Sequence, residues 1–420
     1  MPDQGALRIA LTSYRSKPHC GGQGVYIRQL SRALTGLGHT VEVFSGPPYP
    51  ELDEGVALTE VPSLDLYNDD HPFRIPRPSE FKTRTDLLEW LIMCTAGFGE
   101  PRTFSRRVLP LLAARAAEFD VVHDNQTFGP ALLGIPELGL PLVGTMHHPI
   151  SVDRRLDIAS APLRKKITMR RWYGFVRSQQ RVARQIPISI APSQSSVDDA
   201  VREFGLRPDQ LTNIPIGVDI DLFRPGIAKV PGRVLAVCSA DVPLKGLSVL
   251  LKAMHALPRD VDADLTVVSK VTPGGSTEKL VAELGIGWRV QFVSGLGEQE
   301  LAGLMASAEV MCVPSLYEGF SLPAAEAMAS GTPVIASDVG ALPEVVGSDG
   351  RSAVLVPPGD VAALARELAA LLGDPARRAA MGEQARIRAV ERLSWEATAR
   401  ATAEVYRQEI RRFAAANAGK

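Results

Sequence analysis

Cysteine is scarce in this chain: four in 420 residues, at Cys20, Cys94, Cys238 and Cys312, widely spaced and in no CxxC or Cys/His pattern. That spacing argues against a disulfide framework and a zinc site, and it suits a reducing, cytoplasmic compartment. Net charge is lacking too, since 46 basic side chains against 47 acidic ones leave −1. No global field draws the chain to nucleic acid, which is not expected as a partner, so any electrostatic partner must be met by a local patch. Long apolar runs are missing. The nearest, LLEWLIMCTAGF, is broken by Glu89 and falls short of the roughly 18–20 residues of a membrane span. The opening MPDQGALRIALTSY has neither the charged nor the apolar segment of a signal peptide.

What is present is a soluble composition, 45% hydrophobic and 22% charged, at a length that suits two domains rather than one core. Arginine outnumbers lysine and alanine is abundant, as in chains from GC-rich bacterial genomes. An apolar run at Leu7–Leu11, a loop containing Gly21, Gly22 and Gly24, a helix from Val25 to about Leu37 and the alternating HTVEVFSG read as strand, turn, helix, strand. Residues 47–85 read as irregular. DVVHDNQ, PLVGTMHHP and IPISIAPS are further strands. After NIPIGVDIDLFRPG the pattern restarts, with strands at Val234–Cys238, Leu265–Ser269, Val290–Val293, Val310–Val313, Val334–Ala336 and Val354–Val356. Asp360 and Ser394 are placed to cap the last helices.

One stretch carries chemistry. SLYEGFSLPAAEAMASGTPVIAS places Glu318 and Glu326 eight residues apart around Gly319, Phe320, Ser321, Leu322 and Pro323. Pro323 suits the first turn of a helix, and a helix start after a parallel strand attracts phosphate. Two carboxylates flanking such a site are useful if each accepts hydrogen bonds from hydroxyls on either side of a diphosphate. The plainer alternative is that Glu326 complements the helix dipole, worth roughly 0.3–1 kcal/mol, while Glu318 is solvated.

EGFSLPAAEAMASGTPVIAS resembles the signature of family 4 retaining glycosyltransferases: Glu, seven residues, Glu, a small-residue helix, then G-x-P-V-(I/V)-A. The resemblance extends through GGQGVYIRQLSRALTGLGHTVEVFS, GTMHHP, IPIGVDIDLFRP, PLKGLSVLLKA and the SW opening the last helix. It implies an α/β chain of the GT-B fold, with two Rossmann-like domains facing a central cleft. The expected boundaries are 1–214 on the acceptor side, 215–395 binding the nucleotide sugar, and a helix 396–420 crossing back to the first domain. It implies that Glu318 contacts the donor sugar, Glu326 holds the ribose, and the amides of Gly319, Phe320, Ser321 and Leu322 hold the diphosphate.

Lys245, before Gly246 at a helix start, neutralises a diphosphate leaving group without a metal. Relatives pair it with an upstream arginine, where this chain has Ser239, Ala240 and Asp241, which leaves Arg233 or Lys270 as substitutes. By resemblance, the loop of Gly22, Gln23 and Gly24 faces donor phosphate and acceptor, and His147 contacts the donor sugar, with His148 competing by one place. Asp124, Asn125 and Gln126 end a strand, and Asp124, Gln126, Gln23 and His148 are the acceptor-side candidates. A dinucleotide fingerprint is disfavoured, because Ile27 stands where its third glycine belongs and no acid ends the next strand. Asp219 and Asp221 resemble a metal-binding Asp-x-Asp, but their place in the hinge segment suits a turn, and no metal or other cofactor is expected.

On a helical wheel Lys166, Arg170, Arg177, Arg181 and Arg184 share one face, opposite Trp172, Phe175, Val176 and Val182. Two readings stand: a helix packed on its domain, or a patch around 164–184 touching an anionic membrane at its inner face. The function implied is a metal-independent, retaining transfer of a hexose from a UDP- or GDP-linked donor to an acceptor hydroxyl, in glycolipid, polysaccharide or secondary-metabolite glycoside synthesis. The alternatives are a silent GT-B protein that binds nucleotide sugar or serves as a partner subunit, and an epimerase or phosphorylase sharing the fold.

Overall fold

The computed structural model describes residues 5–17, 22–68 and 71–418. Cys20 and Gly21 lie outside the described residues. The chain divides into two compact units, one of Met1–Pro192, Ser196–Ile214 and Thr398–Lys420, the other of Ser193–Ser195 and Pro215–Ala397.

The first unit is built on seven parallel strands: β1 Arg8–Ser13, β2 Thr40–Ser45, β3 Ala57–Glu60, β4 Val121–Asn125, β5 Leu142–Thr145, β6 Ile188–Ala191 and β7 Leu211–Asn213. Their order is β3-β2-β1-β4-β5-β6-β7. The second unit holds β8 Arg233–Val237, β9 Asp264–Val268, β10 Val290–Val293, β11 Val310–Val313, β12 Val334–Ser337 and β13 Ala353–Val356. Their order is β10-β9-β8-β11-β12-β13. Both are doubly wound sheets whose direction of winding reverses once, between β1 and β4 and between β8 and β11. At such a switch point the loops leaving neighbouring strands part and open a crevice.

Parallel strands buried on both faces read as continuous apolar runs, which is why β4, β5, β11 and β12 stand out in the sequence and are wholly buried. Alternation still sorts the side chains. Val234 and Ala236 enter one core with Leu250, Leu251 and Val267, while Leu235 enters the other with Met305 and Met328. The alanines of the helix Leu322–Ala329 let it lie close on that second face.

Two strands fall where none was expected. β3, within the stretch read as irregular, and β7 are short edge strands, β3 largely exposed, so neither carries an apolar run. The expected single basic helix is also interrupted. Leu163–Trp172 and Val176–Ala183 are separated by a tighter turn at Tyr173–Phe175, which resets the wheel. Arg164, Lys165 and Arg170 are exposed on the first piece, whereas Arg184 Nε donates to the Phe204 carbonyl.

Asp360 caps Val361–Leu372 by accepting from Ala363 N, and Ser394 Oγ accepts from Ala397 N at the start of Trp395–Asn417. Among the described residues Cys94, Cys238 and Cys312 are free, and no helix is long and apolar enough to cross a membrane.

Arg386 Nη1 donates to three carbonyls, those of Ile220, Phe223 and Ala329, tying the segment before β8 to the end of the helix Leu322–Ala329. Arg386→Met keeps the stem and orphans those carbonyls. Urea denaturation is expected to show a loss of about 2–3 kcal/mol.

Candidate active site

In the second unit, loops leaving β8 and β11 meet at the switch point. The β8 loop ends in a tight turn, Pro243–Lys245, followed by Gly246 at φ +66° and the helix Leu247–Ala256. A Cβ on Gly246 would lie 1.9 Å from the Pro314 carbonyl oxygen, so only glycine lets this turn rest on the chain leaving β11. Leu316 N donates to Leu244 O at 2.8 Å and zips the two loops together.

That closure puts Lys245 Nζ 3.1 Å from each carboxylate oxygen of Glu318. Ser315 Oγ donates to Glu318 Oε2 at 3.0 Å. From the other side Ala341 N donates to the Glu318 carbonyl, and Gly340, at φ +56°, packs so tightly there that a Cβ would come within 2.3 Å of that oxygen. Glu318 is thus fixed in backbone and side chain. Cys238 ends the β8 exit beside this pair; burial pushes its thiol up to about 11, with Lys245 opposing and Glu318 adding.

Glu326 stands inside the helix Leu322–Ala329, where Pro323 occupies the first turn. Burial, with a smaller push from Glu298, raises its carboxyl to about 7. Between the two acids Phe320 and Ser321 are buried, and Ser321 precedes the helix at φ +86°, a conformation that favours glycine, with no capping bond from its hydroxyl. Glu298 and Ser315 were not legible as site residues, because their neighbours are set by folding rather than by a motif.

The stretch lacking an arginine has a different task. Asp241 accepts from Thr272 N, Ser276 Oγ and Thr277 N, and these bonds hold its carboxyl far below the usual range. It braces the loop after β9 on the loop after β8. Lys270 stands exposed in that braced loop, at the carboxyl end of β9. Arg233 opens β8 at the amino end of the strand, away from the loops that leave its carboxyl end, and donates to Ser307 Oγ. Asp219 Oδ1 accepts from Asp221 N and Leu222 N, and Asp219 O accepts from Phe223 N, which makes this acid pair a turn. Among the described residues no His, Cys, Asp and Glu group is arranged to hold a metal.

The first unit has its own polar cluster at the β1/β4 switch. Gly22, Gln23 and Gly24 open the helix Gly22–Gly36. A Cβ on Gly24 would meet the Lys17 carbonyl at 2.0 Å, so its glycine is required by the fold itself. Gln23 hydrogen-bonds the buried Tyr14 hydroxyl. Asp124, expected to face the acceptor, is fully buried and accepts from Phe128 N and Thr12 Oγ1; burial raises it to about 6. Gln126, at φ +55°, clamps the next loop with its amide, accepting from His147 N and donating to His148 O. His147 is partly exposed, its Nε2 2.7 Å from Asn125 Oδ1, and burial lowers its pKa to about 4, so the ring is neutral. His148 offers its carbonyl to Gln126 one place further on.

Two doubly wound sheets, each with polar loops at its switch point, define the GT-B class of glycosyltransferases. The profile described as Glycosyltransferase Family 4 matches residues 20–222, and that described as Glycosyl transferases group 1 matches 221–388. The chain is 57% identical to an MMP alpha-(1->4)-mannosyltransferase of Mycolicibacterium hassiacum, over 97% of this chain and 100% of that one. It is 31% identical to a D-inositol 3-phosphate glycosyltransferase of Xylanimonas cellulosilytica, over 98% and 99% of the two chains. Among solved structures it resembles sucrose-phosphate synthase from Thermosynechococcus elongatus (TM-score 0.67, 24% identity, 96% and 98% covered). Another is Anabaena HepE in complex with UDP (TM-score 0.66, 18% identity, 96% and 100% covered). The chain belongs to glycosyltransferase family 4 and is a glycosyltransferase.

Two outcomes follow. Gly246→Ala forces both a strained φ and a backbone clash, and chemical denaturation is expected to show a loss above about 2 kcal/mol. The raised carboxyl of Glu326 favours its protonated form in the fold, so its contribution falls as pH rises from the unfolded carboxylate range, near 4.3, to about 7, and is level above that. In stability–pH curves, Glu326→Gln should remove that fall, and a difference curve flat from pH 4 to 8 would contradict it.

Proposed function

We propose that this enzyme moves a mannosyl group from a nucleoside diphosphate donor to a saccharide hydroxyl, forming an α-(1→4) bond with retention at the anomeric carbon. The observation that carries this is the Lys245–Glu318 pair set at the β8/β11 switch, ahead of the helix Leu322–Ala329. The activity for which the Mycolicibacterium relative is named, matched over its whole length, supports the choice of sugar and linkage.

In this reading the donor diphosphate sits at the start of that helix, where unpaired amides and the dipole favour anions. Lys245 turns from Glu318 to the phosphates and neutralises the charge that grows on the leaving group. Glu318 is released to accept hydroxyls of the sugar, held in place by Ser315 and the Gly340 turn. Glu326 accepts from the ribose hydroxyls, and bringing those donors to an acid whose pKa burial has raised favours its charged form. His147, neutral and oriented by Asn125 and Gln126, contacts the donor sugar. With Glu318 held by Ser315 and occupied in accepting the sugar hydroxyls, no free carboxylate serves as nucleophile. The acceptor attacks on the face the leaving group departs from, and a phosphate oxygen takes its proton. Lysine and helix dipole supply the positive charge, so no metal is required. Lys270 replaces the absent arginine as the second cation for the diphosphate. The polar and charged surface of the donor crevice offers no observation in favour of an epimerase or phosphorylase.

A thermal-shift panel of GDP, UDP, ADP and TDP with their sugars identifies the donor. A bound nucleotide at a hundred times its Kd should add about 2.7 kcal/mol. Lys245→Ala is expected to cut transfer at least about a hundredfold. Lys270→Ala should weaken the donor about tenfold, as loss of one charge-assisted contact, while Arg233→Ala leaves affinity unchanged. Chelation of metals should leave the rate as it was. A panel in which no nucleotide stabilises the protein, or full transfer by Lys245→Ala, would reject this function.

A further inference from the structure

The mechanism uses His147, yet the polar seam behind it reaches the far end of the sequence. On parallel strands, residues two apart stand on one face. His123 and Asn125 share such a face of β4, and Asn125 is the register partner of Thr145 on β5. The side chains step along that face in pairs. His123 Nε2 lies 2.6 Å from Thr145 Oγ1, and two residues on His147 Nε2 lies 2.7 Å from Asn125 Oδ1.

The first pair is extended at both ends. His123 Nδ1 is 2.6 Å from the hydroxyl of Tyr406, on the C-terminal helix Trp395–Asn417. Thr145 hydrogen-bonds the hydroxyl of Tyr26, on the helix Gly22–Gly36. The Tyr26 ring then meets the imidazole of His147 edge-on, with centroids 4.5 Å apart. His123, Thr145, Tyr26 and Tyr406 are all buried, and His123 and Tyr406 have no exposed surface. Each bridging hydroxyl in such a chain can donate to one neighbour while accepting from the next, and the neutral imidazole donates through one ring nitrogen and accepts through the other, so the orientation of one member constrains the others. Burial keeps His123 neutral, near 3, consistent with one donating and one accepting nitrogen.

We propose that Tyr406 is a positioning residue for His147, acting through His123, Thr145 and Tyr26, so that the C-terminal helix sets where that imidazole stands. The proposal rests on the donor-facing role of His147 given above.

Tyr406→Phe removes one oxygen and keeps the ring. Histidine-labelled protein, free of ligand, reports the ring nitrogens by NMR, with the His147 signal assigned by its absence in His147→Gln. The expected result is a shifted His147 signal in Tyr406→Phe. Turnover is read as nucleotide release from the nucleotide sugar that stabilises the enzyme. In that assay kcat should fall about tenfold to a hundredfold, as for a misplaced reacting group, with donor KM nearly unchanged. Tyr26→Phe should do the same, and the double variant should be no slower than either single one, as for members of one unit. Tyr26→Phe leaves the C-terminal helix untouched and carries the same readouts if Tyr406→Phe does not fold. An unmoved His147 signal, or losses that multiply in the double variant, would overturn the proposal. A His147→Ala control separates the failures. If it abolishes turnover while the tyrosine variants are silent, only the wiring is wrong. If it leaves turnover intact, the role of His147 itself is wrong and the wiring falls with it.

Discussion

The second unit of this enzyme depends on one close approach, the backbone of Gly246 against the carbonyl of Pro314. Strands β8 and β11 are neighbours in the sheet but 73 residues separate Lys245 from Glu318. A turn that can lie flat on the exit of β11 converts that separation into a 3.1 Å ion pair. Everything around it follows from the same contact: the Leu316–Leu244 bond, the Ser315 hydroxyl on the carboxylate and the Gly340 turn behind it. Preorganisation here is a backbone property first and a side-chain property second.

The first unit is organised by burial of polar groups. Asp124 spends its side chain on Phe128 N and Thr12 Oγ1, Gln126 spends its own on the loop that carries His147, and His123 is satisfied on both ring nitrogens. Buried polar groups that are fully partnered specify one arrangement, because every alternative orphans a donor or an acceptor. A partly exposed imidazole can then stand in a fixed place on a loop.

Much of this was legible in the sequence. β10 and β11 fall at the expected residues, because continuous apolar runs between turn residues have few other readings. Pro323 and the alanines behind it announce the helix that follows Glu318. The edge strands β3 and β7 were not legible, since a strand with one neighbour needs no apolar run. Neither was the split of the basic helix at Tyr173–Phe175, where Gly174 is the one mark of the break and no proline accompanies it. Within the site, the type of each residue was readable while its partner was not. Lys245 could be assigned a charge to neutralise, but not Glu318 as the group holding it at rest. His123 was not singled out, and its partner Tyr406, 283 residues away, is announced by no motif.

The division of the last helix has a practical meaning for dissecting the protein. Thr398 to the end belongs to the first unit, with Ala399, Ala403, Tyr406 and Glu409 buried in it. A recombinant fragment stopping at residue 214 therefore sheds one wall of its own interior and strands a ring nitrogen of His123. Joining the terminal segment ahead of residue 5 by a flexible tether, as in circular permutation, would restore that wall in an autonomous half-enzyme.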